Sequence, residues 1–219
     1  MTPVRPQLAP ARRALMSAGA ALLLLVPATA CDAGDPPQDL ERTEAAPSPS
    51  ISQDTPGLRF RVEARAIERS ARGDLGKRER TRARRAMDTV QRLVTDLYVA
   101  GYLDPASWGT GSYGNVVDLF AGGARAEART RLRALTAGAD AGERYTGIEP
   151  AEARLQLRVL MDRTGAASLV ASSVRFQARA LGDRPTTFRS EGTFLFRPTR
   201  DGWRIVSFQV VRDDRAAEA

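Results

Sequence analysis

Carboxylates are the side chains of this sequence best suited to catalysis, because the chain has no histidine and a single cysteine. Histidine is the commonest general base near neutral pH, so in its absence aspartate, glutamate or tyrosine would have to carry out acid–base catalysis. Asp96, Tyr98, Asp104 and Asp118 lie around the end of a long helical segment. Each also has a structural explanation: Asp96 and Asp118 as solvent-facing charges, Asp104 as a turn residue, and Tyr98 as a core residue. We assign no catalytic residue.

Other catalytic and cofactor motifs are weak or missing in the sequence. The spacing of Gly109, Gly111 and Gly114 matches a dinucleotide-binding fingerprint, but these glycines follow the end of a helix rather than a strand, which favours a flexible loop. Neither a Ser-x-x-Lys nor a Gly-x-Ser-x-Gly motif occurs, and one cysteine cannot form a thiolate metal cluster. We therefore predict no metal and no cofactor.

The first 30 residues have the pattern of a secretory signal peptide. A basic region without acidic residues precedes an apolar stretch from Ala14 to Val26, which is too short for a relaxed membrane-spanning helix of about 20 residues. Pro27 then breaks the apolar stretch. We expect residues 1–30 to be removed on export.

Cys31, the only cysteine, directly follows this segment. Ala28-Thr29-Ala30 satisfies an ordinary cleavage site, but with Cys31 it also resembles the lipobox of bacterial lipoproteins, in which the cysteine is diacylated and becomes the new N-terminus. That family usually has leucine where this chain has Ala28. The resemblance implies lipid attachment at Cys31 and a place on the outer face of the cytoplasmic membrane, with soluble secretion as the alternative.

A spacer of about 26 residues follows the cysteine, and we predict residues 31–57 to be disordered. The spacer is rich in proline and serine, and six acidic residues against Arg42 give it a net charge of −5. Such a chain holds a folded domain roughly 28 Å from its anchor on average.

Arginine dominates the basic residues, since Lys77 is the only lysine among 33 lysines and arginines. The net charge of +7 falls to +4 when the signal is removed, and we expect no nucleic-acid partner for an exported protein. The densest basic segment runs from Arg59 to Arg85, where a membrane- or polymer-facing surface is one interpretation. The other is a solvated surface in an arginine- and alanine-rich chain that looks like the product of a high-GC actinobacterial genome.

Residues 58–213 suit one α+β domain, with residues 214–219 as a disordered tail. Alternation predicts a strand at 58–64, and apolar spacing predicts helices near 77–101, 116–120 and 124–135. Four alternating segments near 155–162, 169–180, 186–197 and 203–212 predict an antiparallel meander, with Asp201-Gly202 as the last hairpin turn. We expect the helices to pack on a curved antiparallel sheet of about four strands, with the first strand as an addition.

The segment Arg200-Asp201-Gly202-Trp203-Arg204-Ile205-Val206-Ser207-Phe208 resembles the terminal hairpin of nuclear-transport-factor-two-like domains, a cone-shaped superfamily. The chain is also similar to actinobacterial Mce-associated proteins, which place such a domain outside the membrane behind an N-terminal anchor. The resemblance implies a cone whose mouth holds an acid in the enzymes of the superfamily. Candidates for lining its pocket are Tyr98, Trp108, Phe120, Phe176 and Phe194, although ordinary core packing is the favoured explanation for each.

The sequence thus predicts a non-catalytic envelope lipoprotein that binds a protein partner or an apolar small ligand. Two alternatives stay open. One is a carboxylate-dependent isomerase, cyclase or hydrolase of the same fold. The other is an accessory subunit of an envelope transporter.

Overall fold

A computed structural model describes residues 57–69, 74–108, 113–138 and 141–216 of the chain. All of them belong to one compact unit, which spans residues 49–219. The predicted signal peptide, Cys31 and all of the predicted spacer except Gly57 lie outside the described residues, as do residues 217–219.

The described elements confirm an α+β fold with helices between the first strand and the other four. Strand β1 spans Arg61–Arg69, and helix α1 spans Lys77–Tyr98 and continues into a π-helical turn at Val99–Leu103. Four short helices follow: α2 (Pro105–Trp108), α3 (Gly114–Val117), α4 (Gly122–Thr130) and α5 (Leu132–Leu135). The remaining strands are β2 (Gly147–Met161), β3 (Ala167–Leu181), β4 (Thr186–Thr199) and β5 (Gly202–Ala216).

The sheet is mixed and has five strands in the order β1-β2-β3-β4-β5. Strands β2 to β5 form the expected antiparallel meander, whereas β1 pairs parallel with β2, from Arg61 opposite Arg154 to Arg69 opposite Met161. The expectation of a four-stranded antiparallel sheet is therefore corrected by one parallel edge strand. A parallel pair of neighbouring strands needs a long crossover connection, and the helices between β1 and β2 supply it. Alternation within β1 predicts a strand but does not indicate whether that strand runs parallel or antiparallel to its neighbour.

Helix α1 buries the apolar stripe that its sequence predicts. The buried residues recur at three- and four-residue spacing, and Glu79 supports the start of the helix because its Oε2 accepts a hydrogen bond from the Gly76 backbone N–H at 2.7 Å. At the other end Gly101 allows close packing, since a Cβ there would lie 2.5 Å from the Leu135 carbonyl oxygen. The stripe consists of Ala83, Ala86, Met87, Val90, Val94, Leu97 and Tyr98.

Strands β2, β3 and β4 turn the predicted alternate residues inward, but β5 does not. A β-bulge places Ser207 opposite Leu195 and Ile205 opposite Phe196, so one residue of β5 has no direct partner. Ile205 and Phe208 are both buried as a result, and Val211, which strict alternation would place on the same face as Ile205, is 65% exposed. Alternation alone cannot predict this inversion, because a single inserted residue exchanges the two faces.

Several element ends also differ from the expectation. The first strand begins at Arg61 rather than residue 58, and the helix expected at 124–135 is divided at Arg131, whose φ of −112° and ψ of 25° are not helical. Strand β2 starts at Gly147, well before the segment expected near 155–162, and accommodates Pro150 beside a bulge. Strand β5 continues to Ala216, so residues 214–216 are strand rather than tail.

Two serines lie in the core on the inward face of the sheet. Ser190 is 1% exposed, and its hydroxyl is hydrogen-bonded to the Tyr98 hydroxyl at 3.0 Å. Ser172 is fully buried, and its Oγ has no hydrogen-bond partner. The serine hydroxyl is therefore hydrogen-bonded at position 190 and without a hydrogen-bond partner at position 172.

Replacing each serine by alanine should have opposite effects on stability. We expect Ser190→Ala to lower the free energy of unfolding by about 1–3 kcal/mol, because it leaves the buried Tyr98 hydroxyl unpaired. Ser172→Ala should leave stability unchanged or raise it, because it removes a buried hydroxyl that has no partner. Urea unfolding of the two variants checks this, and an equal loss for both would contradict the hydrogen-bond assignment.

Candidate functional site

The five aromatic residues predicted to line a pocket are all in the core. Their exposed fractions are 3% or less, and they belong to one hydrophobic cluster. They fall into separate groups rather than around one opening, with Tyr98 and Phe176 in one group and Phe120 and Phe194 in another. None of the five lines the two adjoining cavities described below.

Tyr98 is the centre of the aromatic packing beneath the end of α1. Its ring lies 4.9 Å from Phe176, stacks on Tyr102 at 5.6 Å, and meets Phe60 edge-on at 5.5 Å. Burial raises the pKa of Tyr98 far above its usual value and raises the pKa of Tyr102 to about 12. Both phenols therefore stay neutral at physiological pH, and their rings fill the interior beneath the end of α1.

The second group forms around Phe208, in the bulged part of β5. Phe120 meets it edge-on at 5.1 Å, and Phe194 stacks on it at 6.4 Å. Trp108, 3% exposed, belongs to the same core, and its buried indole N–H has no hydrogen-bond partner. These side chains act as core packing.

The structure does not gather the three aspartates around a common cavity. Asp96 lies on the solvent side of α1, where partial burial raises its pKa and Arg92 partly opposes that shift. Asp104 accepts a hydrogen bond from the Ser107 hydroxyl at 2.7 Å in the turn that starts α2. Asp118 is exposed and forms an ion pair with Arg125. These positions fit the structural explanations for each residue.

Two adjoining cavities of about 450 and 420 Å³ lie where the segment after α4 meets the end of β5. We call the combined cavity the Arg212 groove. The residues shared by both parts are Arg133, Arg212 and Asp214. The remaining lining consists of Tyr113, Arg131, Leu132, Ala134, Thr136, Ala137, Gly138, Arg144, Tyr145 and Asp213.

Arg212 holds the two sides of the groove together. Its side chain is 7% exposed and forms two parallel hydrogen bonds with Asp214, Nε to Oδ1 at 2.6 Å and Nη2 to Oδ2 at 2.7 Å. Its Nη1 donates to the backbone carbonyls of Arg133, at 3.1 Å, and Thr136. The guanidinium also lies over the ring of Phe188, 4.4 Å from its centroid. Arg212 therefore connects β5 to α5 and the core at once.

Tyr113 forms another wall of the groove in a strained conformation. With a φ of 39° it is the only residue other than glycine with a positive φ among those the structure describes. Its hydroxyl donates to the Gly138 carbonyl at 2.8 Å, and partial burial raises its pKa. Of the dinucleotide-like glycines, Gly109 and Gly111 lie outside the described residues and Gly114 begins α3.

The outer edge of β5 borders the groove. The Val210 carbonyl accepts a hydrogen bond from Arg131 Nη2 at 3.0 Å rather than from the backbone of a further strand. Because backbone groups of an antiparallel strand point to alternate sides, those of Arg212 and Asp214 also point away from β4. Arg133 adds an exposed cationic side chain to the same rim.

This arrangement suits binding better than acid–base chemistry. Asp214 is the only carboxylate of the larger cavity, and both of its oxygens accept from Arg212, so it is a poor general base. Within the described residues no group of three acidic or cysteine side chains is arranged to hold a metal. In the same part of the chain, no helix is long and apolar enough to span a bilayer.

Sequence reasoning missed the groove for identifiable reasons. Asp214 fell in the expected tail, and Arg133 and Arg212 were two arginines among many. The usable signal was the spacing of Arg212 and Asp214, two residues apart and therefore on one face of a strand.

Arg212→Lys should destabilise the domain, because lysine keeps the charge but loses the paired hydrogen bonds and the planar contact with Phe188. We expect a loss of about 1–3 kcal/mol in the free energy of unfolding. Arg215→Lys is the matched control, since Arg215 is 70% exposed in its ion pair with Asp213 and should change stability by less than about 0.5 kcal/mol. Equal losses in urea unfolding would show that Arg212 has no special role.

In comparisons with protein-family models, curated proteins and solved structures, the chain matched none of them. The resemblance to nuclear-transport-factor-two-like domains stays an expectation from the sequence. The strongest guide to function is therefore the site itself, a packed interior beside a cationic groove with a strand edge.

Proposed function

We propose that the protein is a non-catalytic cell-envelope lipoprotein, tethered through Cys31 to the outer face of the cytoplasmic membrane, whose domain binds a protein partner. The support for the tether comes from the sequence: an export segment, the sole cysteine at the first mature position, and an acidic proline-rich spacer. Two or three acyl chains give stable anchoring, whereas one chain holds a protein only marginally.

The observation that carries the choice of partner is the filled interior beneath α1. Tyr98, Tyr102 and Phe176 lie within 5.6 Å of one another, measured between ring centroids, and the Tyr98 hydroxyl is already paired with Ser190. A small apolar ligand would have to displace this packing, and a polar one would have to compete with the Tyr98–Ser190 hydrogen bond. A protein surface is the better occupant for a domain with a packed core and an open groove.

The groove favours an extended partner segment that carries carboxylates. The β5 edge offers backbone groups of the kind that pair with an added strand, and the Arg133 side chain on the rim favours an anionic side chain beside it. An accessory subunit of an envelope transporter is one protein that would bind in this way.

We further infer that the sheet and helices form the cone of the superfamily that the sequence resembles. This is supported by bulges in β2 and β5 and by Gly192, where a Cβ would lie 2.5 Å from the Gln209 carbonyl oxygen. Bulges and glycines in strands are the features that curve a sheet. The parallel edge strand β1 is an addition to that pattern.

Mass spectrometry of the protein extracted from membranes tests the anchor and the ligand class together. We expect the wild type to carry two or three acyl chains on a chain that begins at Cys31, and to retain no apolar small molecule under native conditions. The Cys31→Ser variant should be released into the medium without lipid. An unmodified, freely secreted wild type would exclude the anchor, and a retained stoichiometric small molecule would exclude the filled interior.

Photo-crosslinking in intact cells tests the groove. A photoreactive residue at Ala134, which lines the groove, should form a protein adduct that one at Ala126, exposed on the neighbouring helix, does not. Adding Arg133→Glu should remove the adduct by reversing the charge of the rim, whereas Arg129→Glu should not. Equal adducts at both positions, or insensitivity to Arg133→Glu, would contradict the assignment.

A further inference from the structure

The outer face of α1 is strongly cationic. At 3.6 residues per turn, Lys77, Arg78, Arg84, Arg85 and Arg92 fall within an arc of about 120° opposite the buried stripe. All five side chains are exposed. An open cavity of about 420 Å³ runs along this face and is lined by Lys77, Arg78, Thr81, Arg82 and Arg85. We call this surface the α1 arginine face.

Most cations of this face are not neutralised by the domain itself. Among the described residues, the side chains of Lys77, Arg78, Arg84 and Arg85 have no hydrogen bond or ion pair. Two exposed acids share the arc: Asp88, which pairs with Arg65 of β1 at 2.7 Å, and Asp96, which lies one turn after Arg92. Glu79, in the first turn, pairs with Arg69 of β1 at 3.2 Å.

The position of these charges opposes helix formation. The N-terminus of a helix carries a partial positive charge, so cations in its first turns are unfavourable and acids are preferred there. Only Glu79 is acidic in the first turn of α1, whereas Lys77, Arg78 and Arg80 add positive charge. Neutral side chains at Lys77 and Arg78 would favour the helix, so folding does not account for the charges at these two positions.

We propose that the α1 arginine face adsorbs to anionic lipid headgroups. At a rise of 1.5 Å per residue, the unpaired cations from Lys77 to Arg85 cover about 12 Å of α1 and Arg92 extends the face to about 23 Å, and a row of charges of this length matches a flat, continuous anionic surface better than a single anion. The cavity along this face contains no aromatic or aliphatic side chain, which a peptide anchor would need.

The point where the spacer joins the domain is compatible with this placement. Leu58 and Phe60 are buried, and the Phe60 ring lies 5.5 Å from Tyr98, the last residue of α1. Residues 58–60 therefore lie near the C-terminal end of α1, and a spacer with a mean reach of roughly 28 Å would allow the helix to lie along the membrane. The inference rests on the proposed function only for the presence of a nearby membrane, because adsorption needs no acyl chain.

Vesicle co-sedimentation of the unacylated mature chain, from position 31 with Cys31→Ser, tests the proposal. Vesicles contain 30% phosphatidylglycerol in phosphatidylcholine, and pure phosphatidylcholine is the neutral reference. We expect binding only to the anionic vesicles, weakening as salt is raised. Changing Arg78, Arg84 and Arg85 to glutamine should weaken binding roughly 100-fold, since each cation contributes about a factor of five near such a surface.

The matched control changes Arg175, Arg179 and Arg189, three exposed arginines on the other face of the sheet, to glutamine. It removes the same net charge and should weaken binding far less. The α1 variant should unfold at about the same temperature as the wild type, because glutamine and arginine have similar helix propensity, the three side chains form no hydrogen bond or ion pair, and the charge of Arg78 in the first turn is unfavourable.

Equal loss in both triple variants would overturn the proposal, because binding would then follow net charge alone. Absence of anionic vesicle binding would overturn it too, and equally tight binding to soluble polyglutamate would assign the face to an acidic protein. The acyl state of Cys31 is read separately by mass, so an unacylated chain that binds through α1 would reject the anchor but keep this inference.

Discussion

The packing of Tyr98 between α1 and the sheet is the contact on which the rest of the domain depends. It joins the last turn of the long helix to β3 through Phe176, to β4 through Ser190, and to the chain before β1 through Phe60. Because this residue and its neighbours occupy the interior, the helices and strands of the domain enclose a solid core rather than a chamber. The regions of the domain that are open to interaction are therefore on its surface.

The parts of the fold that depend on local periodicity could be predicted from the sequence. The apolar stripe of α1 and the inward residues of β2, β3 and β4 were all readable, because each rests on a repeat of 3.6 or 2 residues within one element. The parallel pairing of β1, the bulge in β5 and the break at Arg131 were not readable. Each depends on which residues become neighbours in the folded structure, and a single sequence does not contain that information.

The candidate site also has features that could be predicted from the sequence and features that could not. Aromatic residues could be identified as candidates, but whether Phe176 fills a cavity or lines one depends on the distance to Tyr98. The Arg212 groove could not be predicted, because its central pair is Arg212 and Asp214. Arg212 also donates hydrogen bonds to the carbonyls of Arg133 and Thr136, which are distant in the sequence and come close only in the fold. An arginine-rich composition conceals such residues, since identical side chains elsewhere are solvated.

Charge is divided unevenly along the chain. The acidic spacer leaves residues 58–219 with 29 basic and 20 acidic residues, a net charge of +9. An acidic spacer next to anionic headgroups is repelled by them and extends, whereas a cationic domain is attracted back. A neutral spacer would let the domain collapse onto the membrane in any orientation. In the proposed arrangement, repulsion along the spacer combined with attraction concentrated on one face of α1 would restrict that choice.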